Sequence, residues 1–146
     1  MEFHRLSADF YSQYGHLEEI LNKDKRPYYV LLLQLDGLTY AIPLRSRITH
    51  SFCFIADNFS GLDFSKAVVI ADTARYIDPL YVKISQHEYN FYKQHESLIS
   101  KRFSSFVASY KKEVRRCQKN PSIPVSPLCR YASLKHFHNE LGLSAK

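Results

Sequence analysis

The chain has 146 residues, of which 45% are hydrophobic, so it can form a single domain with its own core and is too apolar for a disordered protein. It has no apolar stretch typical of a secretory signal at its start, and no apolar run of membrane-spanning length. Its three cysteines lack metal-ligand spacing, so we expect reduced thiols, no metal or other cofactor, and a cytoplasmic protein.

The charge is distributed unevenly. Residues 1–92 contain 9 Lys/Arg and 11 Asp/Glu, whereas residues 93–146 contain 11 and 3, and together these give the net charge of +6. A basic C-terminal third on a nearly neutral body indicates either a polyanionic partner or simply a solvated basic face.

The N-terminal segment predicts a strand followed by a helix. Residues 3–6 alternate weakly, as in a short strand, and Ser7 is a suitable N-cap. Apolar residues then recur at helical spacing as far as about residue 21. A polar loop that ends in a proline follows at residues 22–27.

The next segment predicts a hairpin. Residues 28–35 are almost wholly apolar, which is typical of a central strand, and residues 38–42 return as its partner. Asp36 and Gly37 between them predict a two-residue turn with positive φ at both positions. Pro43 has no N–H to donate, so we expect regular pairing to end or bulge there.

Short strands and then helices complete the predicted order. We expect strands at residues 49–55, 66–71 and 75–77, with a loop at 56–65. From Ser85 onward the period becomes helical, and one long helix carries an apolar stripe at Ile99, Phe103, Phe106, Tyr110, Val114 and Cys117. A last helix starts at residue 126 or 130 and ends before Gly142. This order predicts one α+β domain over residues 1–146.

The candidate chemistry is concentrated directly after the hairpin. Arg45, Ser46 and Arg47 follow the second strand, and His50 is close behind. Guanidinium groups bind phosphate oxygens, a serine hydroxyl both donates and accepts, and histidine carries protons near neutral pH. These groups suffice to align an RNA 2′-OH with its adjacent phosphate and to stabilise the charge that develops. On spacing alone, we favour a polar turn after a strand over a phosphate site as the explanation of the cluster.

Further candidate residues are basic or aromatic. Tyr11 and Tyr29 either stack on bases or fill half-buried space, and Lys25 with Arg26 is a solvated pair unless the fold brings it to the cluster. The long helix carries Lys101, Lys112, Arg115, Arg116 and Lys119 outside its apolar stripe. The chain contains neither a phosphate-binding glycine loop nor a dinucleotide fingerprint.

Several ordered segments resemble one family. They are F-x-x-L-S-x-x-F-Y at residues 3–11, Y-A-I-P-L-R-S at residues 40–46, K-A-V-V-I-A at residues 66–71, the long basic helix, and C-R-Y-x-x-L at residues 129–134. In these segments the chain resembles the toxins of type III toxin–antitoxin systems, the ToxN/AbiQ/TenpN group of endoribonucleases. The TenpN branch is the most similar, because Pro-Leu-Arg-Ser is followed by His50.

The resemblance implies a fold, an activity and partners. The fold would be similar to the MazF/Kid toxins, with a twisted antiparallel, partly barrel-like sheet surrounded by helices. Such toxins cleave cellular or phage RNA without a metal and leave a 2′,3′-cyclic phosphate. Their antitoxin is a small structured repeat RNA that lies in a basic groove, and toxin and RNA often close into a ring-like assembly.

The resemblance also implies site residues. Ser46 matches the family's active-site serine, and Arg26 falls where the family has a basic residue ahead of the long strand. Phe10 falls near the family's N-terminal aromatic residue, with Tyr11 beside it. The family's basic residue after the serine is replaced by Ile48 here, whereas Arg45 and Arg47 flank Ser46.

Three hypotheses follow from the sequence. The first is an endoribonuclease toxin with an RNA antitoxin, in which Ser46 orients the phosphate or the 2′-OH, Arg45 and Arg47 stabilise the intermediate, and His50 is a candidate acid or base. The second is a non-catalytic RNA-binding module. The third is a MazF-like toxin with a protein antitoxin.

Overall fold

The computed structural model describes residues 1–21, 28–57, 60–80, 82 and 84–143. The described chain is an α+β domain, as predicted, in which six antiparallel strands form one sheet. The strands are β1 (Glu2–Arg5), β2 (Tyr29–Leu35), β3 (Leu38–Arg45), β4 (Cys53–Asp57), β5 (Ser60–Asp63) and β6 (Val68–Val69). The helices are α1 (Ala8–Tyr14), α2 (Thr73–Tyr76), α3 (Gln86–Gln94), α4 (Glu96–Lys119), α5 (Pro127–Arg130) and α6 (His138–Leu141), with 3-10 turns at Phe64–Lys66 and Ser133–Phe137.

The hairpin between β2 and β3 forms as the sequence predicts. Leu35 pairs with Leu38, which leaves a two-residue loop, and Asp36 and Gly37 have φ of 50° and 80°. Positive φ at both positions is what a type I′ turn requires. This turn fixes the register of the two strands at the centre of the sheet.

The prediction that regular pairing ends or bulges at Pro43 is confirmed for the ladder with β2, but the strand itself does not end there. Pro43 is opposite Val30, at the last paired position between β3 and β2, so its missing N–H affects only the end of that ladder. The strand then continues, because Leu44 pairs with Leu62 and Arg45 pairs with Gly61 of β5. The extra length of β3 carries Arg45 to the end of the strand.

The strand order is β1-β2-β3-β5-β4, and β6 pairs with β3 beside β5. The two end strands, β1 and β4, do not pair with each other in the described part of the chain, so the sheet is open. The second long edge of β3 is therefore shared, with β6 at Tyr40 and Ala41 and with β5 at Leu44 and Arg45.

Several predicted boundaries are corrected. Helix α1 begins after the Ser7 cap, as predicted, but ends at Tyr14 instead of residue 21. The predicted loop at residues 56–65 contains β5, and the predicted strand at residues 49–55 becomes β4 only from Cys53. The predicted strand at 75–77 mostly lies in helix α2, whose first turn is capped by the Asp72 side chain.

The long helix α4 packs on the sheet through its predicted stripe. The buried residues of this stripe are Ile99, Phe103, Phe106, Tyr110 and Val114. His95 separates α4 from the shorter helix α3 that precedes it. The Phe103 ring lies 5.0 Å from Tyr40 of β3 and 5.3 Å from Phe64. The predicted last helix is divided into α5, a 3-10 turn and α6, and it ends at Gly142 with φ of 72°, as predicted.

Among the described residues, no helix combines the length and the apolar character that a membrane span requires.

Gly61 lies between two backbone neighbours, Arg45 on β3 and Ile55 on β4. A Cβ at this position would overlap the carbonyl oxygen of Phe54 and lie 2.9 Å from the Ile55 Cα. Both obstacles are backbone atoms in a sheet. We therefore expect Gly61→Ala to lower the free energy of unfolding by roughly 3 kcal/mol or more, measured by urea denaturation, because the strands must separate.

Gly37→Ala is the matched control. A Cβ there would meet nothing within 4 Å, and only the positive φ of 80° opposes the substitution. Its expected cost is about 1 kcal/mol. Equal effects of the two substitutions would contradict the tight approach of β4 and β5.

Candidate functional site

Arg45 is held by a buried carboxylate. Its Nη1 donates to Oδ2 of Asp63 at 2.7 Å, and the Asp63 side chain is fully buried, whereas the Arg45 side chain is 31% exposed. Asp63 is the last residue of β5, beside the end of β3. The ion pair therefore fixes one side of the guanidinium and leaves the rest of it accessible at the surface.

The second oxygen of Asp63 is also satisfied. Oδ1 accepts from the backbone N–H of Ser65 at 3.0 Å and from the Ser65 hydroxyl at 2.6 Å. This is a local cap of the 3-10 turn at Phe64–Lys66. Because a buried carboxylate requires compensation on both oxygens, Asp63 and Ser65 form a rigid support for Arg45.

His50 is part of the same network. Its Nε2 lies 3.3 Å from Oδ1 of Asp63 and 3.4 Å from the Ser65 hydroxyl, and its Nδ1 accepts from the backbone N–H of Phe52 at 3.1 Å. An Nδ1 that accepts carries no proton, so the neutral ring carries its proton on Nε2, whose hydrogen-bond partner is the Ser65 hydroxyl, with Asp63 close by. Both ring nitrogens are thus engaged, and His50 is placed to position the network.

Ser46 and Arg47 project from the turn that follows β3. Both are exposed, whereas the next residue, Ile48, is buried at 4% exposure and anchors the turn in the core. Arg47 has φ of 56°, in the left-handed region that side chains disfavour by about 1 kcal/mol. Within the described ranges, no hydrogen bond reaches the Ser46 hydroxyl and no carboxylate pairs with Arg47.

Three of the four predicted catalytic residues are thus consecutive at the end of β3 and in the exposed turn after it, with a hydroxyl that has no partner in the described residues and two accessible guanidinium groups. Such a loop can bind a phosphate through charge-assisted hydrogen bonds. Asp63 and Ser65, which hold Arg45, were missed by sequence reasoning because residues 56–65 were interpreted as a loop. Asp-x-Ser, a local capping pattern, was the signal that could have identified them.

Cys53 lies beside this network. It pairs with Asp63 across β4 and β5, and its thiol donates to the carbonyl oxygen of His50 at 3.2 Å. Burial, and then the Asp63 carboxylate, raise the pKa of the Cys53 thiol above its usual value. The thiol therefore stays protonated and acts as a structural donor.

The aromatic candidates are separated by burial. Phe10 is fully buried, and its ring lies 5.0 Å from Tyr14 and 5.9 Å from Tyr76, so the prediction that it contacts RNA is corrected. Tyr11 is half-buried, and burial raises the pKa of its hydroxyl. Tyr29 is 39% exposed on β2 and remains accessible. Lys25 and Arg26 lie outside the described residues.

The cations of α4 lie opposite its buried stripe. At 100° per residue, Lys101, Lys112 and Lys119 fall within about 20° of one another, and Arg115 lies close by. All are exposed, and the row from Lys101 to Lys119 is about 27 Å long. Arg116 is also exposed, but it pairs with Glu113 at 2.8 Å. The other four, here called the α4 basic row, have no ion pair within the described ranges.

No group of three or more His, Cys, Asp or Glu side chains that could hold a metal ion is found in residues 1–21, 28–57, 60–80, 82 and 84–143.

Comparison with known proteins gives no assignment. No family model matches the chain, and no curated protein or solved structure matches it either. The resemblance to type III toxins therefore depends on the segments of the chain itself.

The role of Asp63 as a support can be tested by stability. We expect Asp63→Asn to lower the free energy of unfolding by roughly 2–4 kcal/mol, measured by urea denaturation. An amide at this buried position loses the charge pair with Arg45, and its NH2 group faces N–H or O–H donors of Arg45 or Ser65. Asp57→Asn, at an exposed position of β4, is the control and should change stability by less than about 0.5 kcal/mol. A neutral outcome for Asp63→Asn would show that the network does not support the loop.

Proposed function

We propose that this protein is a metal-independent endoribonuclease toxin of a type III toxin–antitoxin system. The observation that carries the proposal is the Arg45-Ser46-Arg47 segment at the end of β3, where Arg45 is fixed by buried Asp63 and the two residues after it, Ser46 and Arg47, are exposed without a partner in the described residues. The ordered segments shared with the ToxN/AbiQ/TenpN group support it, as does the basic C-terminal third.

The proposed reaction is transesterification. The RNA 2′-OH attacks the adjacent phosphorus, the bond to the 5′ oxygen breaks, and a 2′,3′-cyclic phosphate and a 5′-OH result. Ser46 aligns the 2′-OH or a phosphate oxygen, and Arg45 and Arg47 stabilise the added negative charge. Because the loop is exposed, water can accept the proton of the 2′-OH and return one to the 5′ oxygen. His50 orients the Asp63 network.

We extend the proposal to the fold and the partner. The open antiparallel sheet with flanking helices is compatible with a fold similar to the ToxN and MazF toxins. The α4 basic row is the surface to which we assign a repeat-derived RNA antitoxin, in a closed protein–RNA assembly in the cytoplasm. Its charge and its length of about 27 Å suit several successive phosphates.

Removal of the Ser46 hydroxyl tests the site. We expect Ser46→Ala to slow RNA cleavage by about 100-fold or more, because the reacting groups lose their alignment, while stability stays within about 0.5 kcal/mol of wild type. The measurement is cleavage of a labelled single-stranded RNA in the presence of a chelator, with analysis of the product ends for cyclic phosphate.

Ser97→Ala removes an equally exposed serine from the first turns of α4 and is the control, with cleavage expected at the wild-type rate. Wild-type cleavage by Ser46→Ala would remove Ser46 from the mechanism. An absence of any cyclic-phosphate product from the wild-type protein would reject the endoribonuclease itself.

A second candidate is a non-catalytic RNA-binding module. It is favoured by the engagement of both His50 ring nitrogens, which leaves the loop without an evident proton acceptor from the protein. This candidate predicts salt-sensitive RNA binding without cleavage products, so the same end-group analysis separates the two.

The α4 basic row predicts a particular salt dependence. We expect the triple variant Lys112→Ala, Arg115→Ala, Lys119→Ala to bind structured RNA more weakly and to reduce the slope of log K against log salt by about 2–3, because each lost phosphate contact contributes about 0.7–0.9. Arg116→Ala should change the slope less, since Glu113 already neutralises that cation. Equal slopes for the triple variant and wild type would place the RNA elsewhere.

The nature of the antitoxin needs its own experiment. The protein is expressed together with its flanking DNA, and the purified complex is treated with a nuclease. Release of active enzyme indicates an RNA antitoxin, whereas a resistant complex with a small acidic protein indicates the MazF-like alternative.

A further inference from the structure

A groove opens between the start of β4 and one side of α4, and its first lining residue, Ser51, follows Arg47 by four positions in the chain. Its volume is about 540 Å³, which is ample for one nucleotide. Phe52 forms one wall, Phe64 and Phe106 form the floor, and Lys101, Arg102 and Ser105 lie along α4 at its rim. No carboxylate is among the described residues that line it.

The aromatic side of the groove is rigid. The Phe52 ring lies 6.2 Å from Phe106, which in turn lies 5.9 Å from Phe64. Phe64 and Phe106 are buried at 3% and 7% exposure, whereas Phe52 is only partly buried and presents ring surface to the groove. A flat apolar ring can therefore be added to the cluster without rearrangement of the core.

The opposite side is cationic. Lys101 and Arg102 are both exposed on α4, and the Arg102 guanidinium lies 5.2 Å from the centre of the Phe54 ring. This cation–π contact directs Arg102 towards β4 and limits its mobility. With no carboxylate to balance these charges, the groove is complementary to a ligand that combines a ring with phosphate.

The groove is built on the same segment as the catalytic loop. The backbone N–H of Phe52 donates to Nδ1 of His50, and the carbonyl oxygen of Phe52 accepts from the N–H of Phe64 at 3.0 Å. Phe64 in turn follows Asp63, the residue that holds Arg45. The aromatic wall and the phosphate-binding loop are thus positioned by one network, with His50 and Phe52 at most about 7 Å apart along the backbone.

We propose that this groove is a nucleotide subsite that binds a base of single-stranded RNA next to the scissile phosphate. Phe52 stacks on the base, and Lys101 and Arg102 bind the following phosphates. The subsite rests on the proposed function, since its ligand is the strand that the Arg45-Ser46-Arg47 loop cleaves. It requires an unpaired strand, because a base within a duplex cannot reach Phe52.

The test measures binding apart from cleavage. The probe is a fluorescein-labelled octamer of 2′-O-methyl adenosine, which lacks the attacking hydroxyl, and a second octamer has the same backbone without bases. We expect Phe52→Ala and Phe52→Leu to weaken binding of the first probe by about 5- to 100-fold in fluorescence anisotropy, and to leave binding of the abasic probe unchanged. Phe52→Leu retains apolar packing on Phe106, so it guards against a folding defect.

The rim is tested by charge. Lys101→Ala and Arg102→Ala should each reduce the slope of log K against log salt by about 0.7, for both probes. Ser105→Glu, which places a carboxylate at an exposed rim position, should weaken the binding of both probes relative to wild type. Tyr131→Ala, an aromatic residue that is 50% exposed outside the groove, and Lys93→Ala on α3 are the matched controls.

The outcomes separate this subsite from the proposed function. Equal binding by wild type, Phe52→Ala and Phe52→Leu would overturn the subsite, as would equal losses on the adenosine and abasic probes, which indicate a purely electrostatic surface. Failure of wild type to bind the adenosine octamer would also overturn it. Absence of cyclic-phosphate products from cleavable RNA would reject the nuclease alone, because these probes report binding without chemistry.

Discussion

The ion pair between Arg45 and buried Asp63 is the constraint on which the candidate site depends. A fully buried carboxylate is unfavourable unless each oxygen is compensated, and here Arg45 serves one oxygen while Ser65 serves the other. To provide this compensation, the end of β3, the end of β5 and the following 3-10 turn must meet at one point. The turn that carries Ser46 starts from that point, so the ion pair between Arg45 and Asp63 determines where the turn begins.

The same constraint divides the cationic groups into fixed and free. Arg45 has a defined direction, whereas Arg47 and the α4 basic row have no carboxylate partner in the described chain. His50 contributes to the fixed group, since its two ring nitrogens contact Asp63 and the backbone of Phe52. For the proposed reaction, a guanidinium held by a carboxylate can orient a phosphate, and cations without a carboxylate partner can stabilise negative charge that develops on it. The aromatic groove shares this support through Phe52 and Phe64.

Sequence patterns were reliable where a local rule decided the structure. Asp36-Gly37 predicted the hairpin because few residue pairs accept positive φ at both positions, and the apolar stripe predicted α4 because a 3.6-residue period has no other simple explanation. Sequence patterns gave wrong predictions where strand pairing or packing decided the local structure. Residues 56–65 have the composition of a loop, yet Gly61 forms part of β5. Because Gly61 has no side chain, the backbone of β4 can lie close to that of β5 at this point. Phe10 resembled a ligand-binding aromatic residue, but packing placed it in the core.

The sequence by itself determined the α+β class, the central hairpin, the long amphipathic helix and the presence of two arginines around Ser46, since each follows from local propensity or from composition. Tertiary structure alone decided that Asp63 holds Arg45, that His50 has both nitrogens engaged, and that an aromatic groove forms between β4 and α4. These features join residues that are 13 to 54 positions apart, such as His50 and Asp63 or Phe52 and Phe106. Such contacts exist only after the strands have paired and α4 has packed on them, so no local pattern encodes the pairing itself, although Asp-x-Ser marks the local cap that receives Arg45.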